Sequence, residues 1–81
     1  MKKFQIYEDY ITLGQFLKAT NHIGSGGEAK FFLYENEVLL NQERRIERGK
    51  KLYPGDYIQI GNESYVIVRD PKNSTQTISK S

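Results

Sequence analysis

The chain has 81 residues and a formal net charge of +2, with 37% hydrophobic and 27% charged side chains. The absence of cysteine and the single His22 exclude a disulfide framework, a cysteine-ligated zinc site, thiol catalysis and a multi-histidine metal site. Because ten side chains are Phe or Tyr, the composition indicates a small globular domain and not a disordered chain.

The first predicted elements are a strand and a helix. Residues 3–8 alternate polar and apolar side chains, which is the pattern of a half-buried strand. Thr12 and Gln15 form the Thr-x-x-Gln pattern of a capping box and predict a helix start, while Asn21 and Gly24 are typical helix terminators. The side chains predicted to face the core are Leu13, Phe16, Leu17 and Thr20.

A second helix is predicted shortly after the first. Residues 25–28, Ser-Gly-Gly-Glu, have the pattern of a second capping box, and the helix is expected to extend to about Tyr34. Its apolar stripe consists of Ala29, Phe32 and Leu33. The connection between the two helices is short, so we expect them to pack against each other.

The rest of the pattern consists of strands and turns. Residues 38–40 are compatible with a strand and end at residues 41–42, Asn-Gln, a turn-like pair. Residues 54–55, Pro-Gly, suit the two central positions of a type II turn. Residues 57–60 and 65–68 predict two paired strands. The order of elements indicates an α+β fold in which a helical hairpin packs on a small, mainly antiparallel sheet.

The chain is expected to form one domain over residues 1–70, because it is shorter than a typical domain. Residues 71–81 are rich in Ser, Thr, Asn and Lys, and we expect a flexible tail there. The N-terminal residues become acidic by Glu8 before any long apolar stretch, so we predict neither a signal peptide nor a membrane span. We expect a cytoplasmic monomer.

Residues 44–51 contain five Lys or Arg side chains in eight positions. Such a cluster on a nearly neutral chain indicates a surface for a polyanion, since Arg binds phosphate oxygens bidentately and Lys provides a compact charge. The alternative is a solvated turn whose cations pair with Glu43 and Glu47, although exposed pairs contribute only about 0–1 kcal/mol. The glycines of residues 25–28 offer a further phosphate contact. We favour the simpler interpretation that this segment caps the helix.

Several motifs occur in the order known from one family. They are Ser25-Gly26-Gly27-Glu28-Ala29-Lys30, Val38-Leu39-Leu40-Asn41 and Pro54-Gly55-Asp56. Over about residues 12–60 the chain resembles the S-four-type RNA-binding domain, also called the alpha-L motif. Within that family it is similar to the short stand-alone YaaA-type proteins of bacteria. The resemblance implies binding of structured RNA by phosphate and shape contacts, with ribosomal RNA or a ribosome assembly intermediate as the leading target.

The basic cluster and the resemblance together predict the site. The predicted RNA-binding residues are Lys18, Ser25, Gly26, Lys30, Arg44, Arg45, Arg48, Lys50 and Lys51. Phe31 and Tyr34 could stack on a splayed base, but we expect them in the core of so small a protein; Tyr53 presents the same alternatives. No acid-base pair or nucleotide-binding glycine motif is present, so we predict no enzyme activity and no cofactor. The alternative function is a protein-interaction adaptor that uses an exposed strand edge or an aromatic surface.

Overall fold

A computed structural model describes residues 1–69 of the chain. The elements in order are β1 (Lys2–Ile6), β2 (Ile11–Thr12), α1 (Leu13–Ala19), a 3-10 turn (Gly26–Glu28), α2 (Ala29–Glu35), β3 (Val38–Leu40), β4 (Glu43–Arg44), β5 (Lys51–Leu52), β6 (Tyr57–Ile60) and β7 (Glu63–Arg69). Neither helix has the length needed to cross a membrane within this part of the chain. The tail predicted over residues 71–81 lies outside the described residues.

The main sheet has five strands in the order β1-β7-β6-β3-β4. β1 and β7 run parallel, and the other three pairs in this sheet are antiparallel. β2 and β5 form a separate antiparallel pair. Together with the two helices, this arrangement confirms the predicted α+β class and the mainly antiparallel sheet. The predicted N-terminal strand is also confirmed, over Lys2–Ile6.

The start of α1 is the predicted capping box. The Gln15 amide donates to Oγ1 of Thr12 at 3.3 Å, and the Thr12 amide donates to Oε1 of Gln15 at 3.0 Å. The exchange satisfies two backbone donors that have no acceptor within the helix. Leu13, Phe16 and Leu17 are buried as predicted, and Thr20 is half-buried at the end of the helix.

The capping box predicted at residues 25–28 is wrong. The Ser25 side chain makes no capping hydrogen bond, and its backbone is extended. The Glu28 carboxylate instead accepts a hydrogen bond from the Gly24 amide at 3.0 Å. Residues 26–28 form a 3-10 turn that leads into α2, so Glu28 stabilises the preceding loop and not the Ser25 amide.

Phe16 joins α1 to the main sheet. Its ring is fully buried and makes edge-on contacts with Phe4 at 4.9 Å and with Tyr65 at 5.1 Å between ring centroids. Such aromatic pairs contribute beyond the area that they bury. The other large, fully buried side chains are Leu13, Leu17, Leu33, Leu52, Ile58, Ile67 and Val38. One core therefore joins α1, α2, the main sheet and β5.

The prediction that Phe31 and Tyr34 lie in the core is wrong. Phe31 is 65% exposed and Tyr34 is 59% exposed. Ala29 and Leu33 are buried, and Phe32 is half-buried against the core. The side of α2 that faces the sheet is thus filled by the predicted stripe, and residues 31 and 34 point away from it.

Two predicted turns are confirmed by their backbone geometry. Asn41 and Gln42 have φ values of 53° and 72°, as a tight two-residue hairpin between β3 and β4 requires. Gly55 has a φ of 99°, and the Asp56 amide donates to the Tyr53 carbonyl at 3.0 Å. The second geometry is that of a turn with glycine at its third position, which is type II.

Tyr65 is a buried residue whose hydroxyl lies next to a carboxylate. Its ring is 6% exposed, and the hydroxyl donates to Oε1 of Glu63 at 2.7 Å. Burial, together with this bond, raises the pKa of Tyr65 to about 12 from the ordinary value of 10.0. His22, predicted to be an ordinary turn residue, is half-buried beside this pair, with Nε2 3.9 Å from Oε1 of Glu63.

We expect alkali to destabilise the fold through Tyr65. Because the folded state favours the neutral phenol, its contribution is fully present below pH 10 and is lost as pH rises through about 12. Denaturant titrations of the wild type should show a fall of about 2–3 kcal/mol across this window from Tyr65. Tyr65→Phe should lack this part of the fall, whereas Tyr57→Phe, at a half-exposed ring, should retain it. Equal alkaline slopes in all three proteins would contradict the assignment.

Candidate nucleic-acid interface

The basic segment, residues 44–51, is hydrogen-bonded to the start of α1. The Leu13 amide donates to the Lys50 carbonyl at 2.8 Å, and the Gly14 amide donates to the Arg48 carbonyl at 2.8 Å. These amides belong to the first turn of the helix, where no intrahelical acceptor is available. The bonds continue the β2–β5 ladder, in which Thr12 is paired with Lys51. The downstream half of the segment therefore has a defined position.

Gly14 allows the close approach of the basic segment to α1. A Cβ atom at this position would lie 3.2 Å from the Arg48 carbonyl oxygen and 3.4 Å from the Arg48 Cβ. The first separation is shorter than most Cβ contacts, so a side chain at position 14 would require a small shift of the backbone at residue 48. A glycine in the first turn of a helix is otherwise unfavourable. Its presence here is explained by this contact.

A shallow groove of about 300 Å³ lies where α1, the 3-10 turn and the basic segment meet. The residues that line it are Thr12, Gly14, Gln15, Gly26, Arg48 and Gly49. Of the predicted site residues, the structure thus brings Gly26 and Arg48 together, although they are 22 positions apart in the chain. Sequence reasoning missed four lining residues, Thr12, Gly14, Gln15 and Gly49. Of these, Gly14 carried a signal as a glycine inside a predicted helix.

Gly26 and Gly49 leave open space at the groove. Neither has a positive φ, and a Cβ atom built at either position would meet nothing within 4 Å. Among residues 1–69, the amides of Gly26 and Gly27 also have no hydrogen-bond acceptor. The described part of the fold therefore gives no steric reason for glycine at positions 26 and 49. The amides of Gly26 and Gly27 are therefore unpaired backbone donors that a ligand can reach.

The upstream arginine pair, Arg44 and Arg45, makes contacts within the protein. Nη2 of Arg44 donates to the carbonyl oxygens of Leu33 at 3.3 Å and Tyr34 at 3.2 Å, near the end of α2. These carbonyls belong to the last turn, which has no intrahelical donors. Arg45 lies within 4 Å of two carboxylates, at 3.5 Å from Glu43 and 3.8 Å from Glu47. For Arg45 the structure therefore agrees with the alternative interpretation, in which the cation pairs with neighbouring glutamates and is not held free for a ligand.

The downstream basic trio, Arg48, Lys50 and Lys51, is different. Within residues 1–69, none of these three side chains forms an ion pair with a carboxylate. Nζ of Lys51 lies 4.8 Å from the centre of the Tyr10 ring, a cation–π contact that keeps its charge near the surface. Arg48 lines the groove, and the charges of all three side chains are free of carboxylate partners within residues 1–69.

The remaining predicted residues, Lys18, Ser25 and Lys30, are exposed. Lys18 lies in the last turn of α1, Ser25 precedes the 3-10 turn, and Lys30 follows Ala29 in the first turn of α2. They do not line the groove. In the part of the chain that the structure describes, no group of three or more His, Asp or Glu side chains has the geometry of a metal site.

Comparison with known proteins gives two matches. A family model described as S4 domain matches residues 4–68. A protein of Bacillus subtilis (strain 168), named "Probable ribosome maturation protein RlbA", is 54% identical over 61 residues, which cover 74% of this chain and 86% of that protein. No solved structure matches the chain significantly. The groove at Gly26 and Arg48 lies within the matched residues.

Proposed function

Since the chain belongs to the S4 domain family, we propose that it binds structured RNA through the groove at Gly26 and Arg48. The site is the groove together with the downstream basic trio, and Lys18, Ser25 and Lys30 contact the RNA at its margins. The binding unit is the single domain predicted over residues 1–70. It acts as a monomer in the bacterial cytoplasm, and its role is binding and not catalysis.

The observation that carries this proposal is the chemistry of the groove. Arg48, whose side chain forms no ion pair within residues 1–69, and Gly26, whose amide is free, line a groove where no side chain at position 26 blocks an approaching phosphate. Arg and backbone amides are common donors to phosphate oxygens. The site is shallow and open, as expected for contacts to a nucleic-acid backbone and not to a buried small molecule.

Shape and phosphate contacts suit an A-form RNA helix. The deep major groove of such a helix is closed to side chains, so proteins contact its phosphates and 2′-hydroxyl groups. The "ribosome maturation" name of the Bacillus subtilis relative supports ribosomal RNA, or a ribosome assembly intermediate, as the target class.

Binding should weaken steeply with salt. If four phosphates are neutralised, the affinity for a labelled ribosomal RNA fragment should fall by about 50–150-fold between about 50 and 200 mM salt. Filter binding over a salt series measures this slope. Duplex DNA added as competitor should displace the RNA poorly. A salt-independent affinity would contradict the proposal, and equal displacement by DNA would contradict the choice of RNA.

Two neighbouring glycines provide a matched control for the location of the site. Gly26 lines the groove and Gly27 does not, although a Cβ atom would meet nothing within 4 Å at either position. Gly26→Val should weaken RNA binding about tenfold or more, because the side chain fills the path of the phosphate, while Gly27→Val should change it less. The midpoint of thermal unfolding should be similar in both variants. Equal losses of affinity would place the RNA elsewhere.

A protein-interaction adaptor is the second candidate function. The observation that favours it is the pair of exposed rings on α2, Phe31 and Tyr34. An apolar protein interface would change little with salt, because it does not depend on the release of counterions. The salt series therefore separates the two functions. If the affinity for the bound partner is independent of salt, the double variant Phe31→Ala with Tyr34→Ala tests whether the partner binds at these two rings.

A further inference from the structure

Tyr10 and Tyr53 meet at the open end of the small β2–β5 sheet. Thr12 is paired with Lys51 and Ile11 with Leu52, so the next residues outward, Tyr10 and Tyr53, are opposite each other. Their ring centroids are 5.8 Å apart. Because side chains alternate along a strand, both tyrosines lie on the same side of the sheet as Thr12, away from the buried Leu52.

Neither ring is used by the core of the described chain. Tyr10 is 40% exposed and Tyr53 is 47% exposed, and their hydroxyl groups make no hydrogen bond within residues 1–69. Nζ of Lys51 lies over the Tyr10 ring at 4.8 Å from its centre, and Tyr53 contacts the same ring at a tilt of 51°. Both rings therefore remain accessible, and Tyr53 is the more exposed of the two.

The backbone at Tyr53 is held in place. Its amide donates to Oδ2 of Asp56 at 2.8 Å, its carbonyl accepts from the Asp56 amide at 3.0 Å, and Pro54 follows. A ring on a fixed backbone with a neighbouring ring at its side loses little conformational freedom on binding. Tyr53 is therefore prepared for a flat ligand.

The tyrosines and the groove are parts of one surface. Thr12 lines the groove with Gly26 and Arg48, and it is two strand residues, or about 7 Å, from Tyr10 on the same side of the sheet. Lys51 lies between these features, opposite Thr12. A ligand that places phosphates at Arg48 and Lys51 therefore has its next group at the Tyr53 ring.

We propose that Tyr53, supported by Tyr10 and Lys51, stacks against an unpaired base of the RNA whose phosphates occupy the groove. This inference rests on the proposed function and adds the ligand class: a duplex with an adjacent single-stranded nucleotide. Unpaired bases expose a flat aromatic face, and protein rings commonly stack on them. A fully paired helix offers no such face along its side.

The test uses two RNA hairpins that differ by one bulged 2-aminopurine, whose fluorescence falls when it stacks on an aromatic ring. The protein has no tryptophan, so excitation of this base is selective. The wild type should quench the probe and bind the bulged hairpin about tenfold more tightly than the paired one. Tyr53→Leu should lose both effects, and Tyr53→Phe should keep both. Tyr57→Leu, at a ring that is 50% exposed on β6, is the matched control and should behave as wild type.

The outcomes separate this inference from the proposed function. Tight, salt-dependent binding of both hairpins by the wild type, without quenching or preference, would overturn the stacking and leave RNA binding intact. Failure to bind any RNA would overturn both. Because the wild type keeps the ring, a lack of quenching there overturns the stacking whether or not Tyr53→Leu folds.

Discussion

Replacement of Arg48, Lys50 and Lys51 together by Gln is expected to weaken binding of structured RNA by about 10²–10³-fold at about 0.1 M salt. Each phosphate that a cation neutralises on a duplex adds about 0.9 to the slope of log K against log salt, so three lost contacts lower the slope by about 2.7. None of the three side chains forms an ion pair within residues 1–69, so the fold should not depend on them. Filter binding over a salt series measures the affinity, and circular dichroism checks the fold.

The upstream arginine pair provides the control. Arg44→Gln with Arg45→Gln removes two charges from the same segment, but it also removes the donor to the carbonyls of Leu33 and Tyr34. We expect the free energy of unfolding to fall by about 1–2 kcal/mol. The salt slope should change much less than in the triple variant. If the double variant instead loses affinity as strongly and keeps its stability, the upstream pair contacts RNA and our division of the cluster is wrong.

Features that depend on neighbours in the chain were predictable from sequence. The Thr12–Gln15 capping box and the turn at Gly55 are set by local hydrogen bonds and backbone angles, and both are confirmed. Burial of Leu13 and Phe16 followed from their helical spacing. The capping box at Ser25 was wrong because Glu28 can bond either of two nearby amides, and sequence alone does not choose between them.

The spacing of residues in the sequence could not show which cations of the basic segment bond within the protein and which remain free. Whether Arg44 or Arg48 is free depends on where the end of α2 and the start of α1 lie, and both are set by the tertiary fold. The groove combines residues from three separate segments, so only its individual members, such as Gly26, were visible in advance. The exposure of Phe31 was also missed, because the sheet can accommodate only one side of a short helix.

Phe16→Ala is expected to remove a large part of the stability of the domain. The ring is fully buried between Phe4 and Tyr65, and deletion of a buried Phe costs about 3–5 kcal/mol. A chain of this length has a total stability of about 4–12 kcal/mol. The loss should also reach the RNA site, because the amides of Leu13 and Gly14 in the same helix hold the basic segment. Urea titration followed by circular dichroism measures the free energy of unfolding.

Phe31→Ala is the matched control, since it deletes the same side chain from α2 where the ring is 65% exposed. Its free energy of unfolding should stay within about 0.5 kcal/mol of the wild type. RNA affinity of Phe16→Ala should fall in parallel with its folded fraction as temperature rises, because the groove exists only while α1 is packed on the sheet. A Phe16→Ala protein that unfolds at the wild-type urea concentration would mean that α1 is not anchored through this ring. Full RNA affinity after loss of the helical signal would place the site outside the helical hairpin.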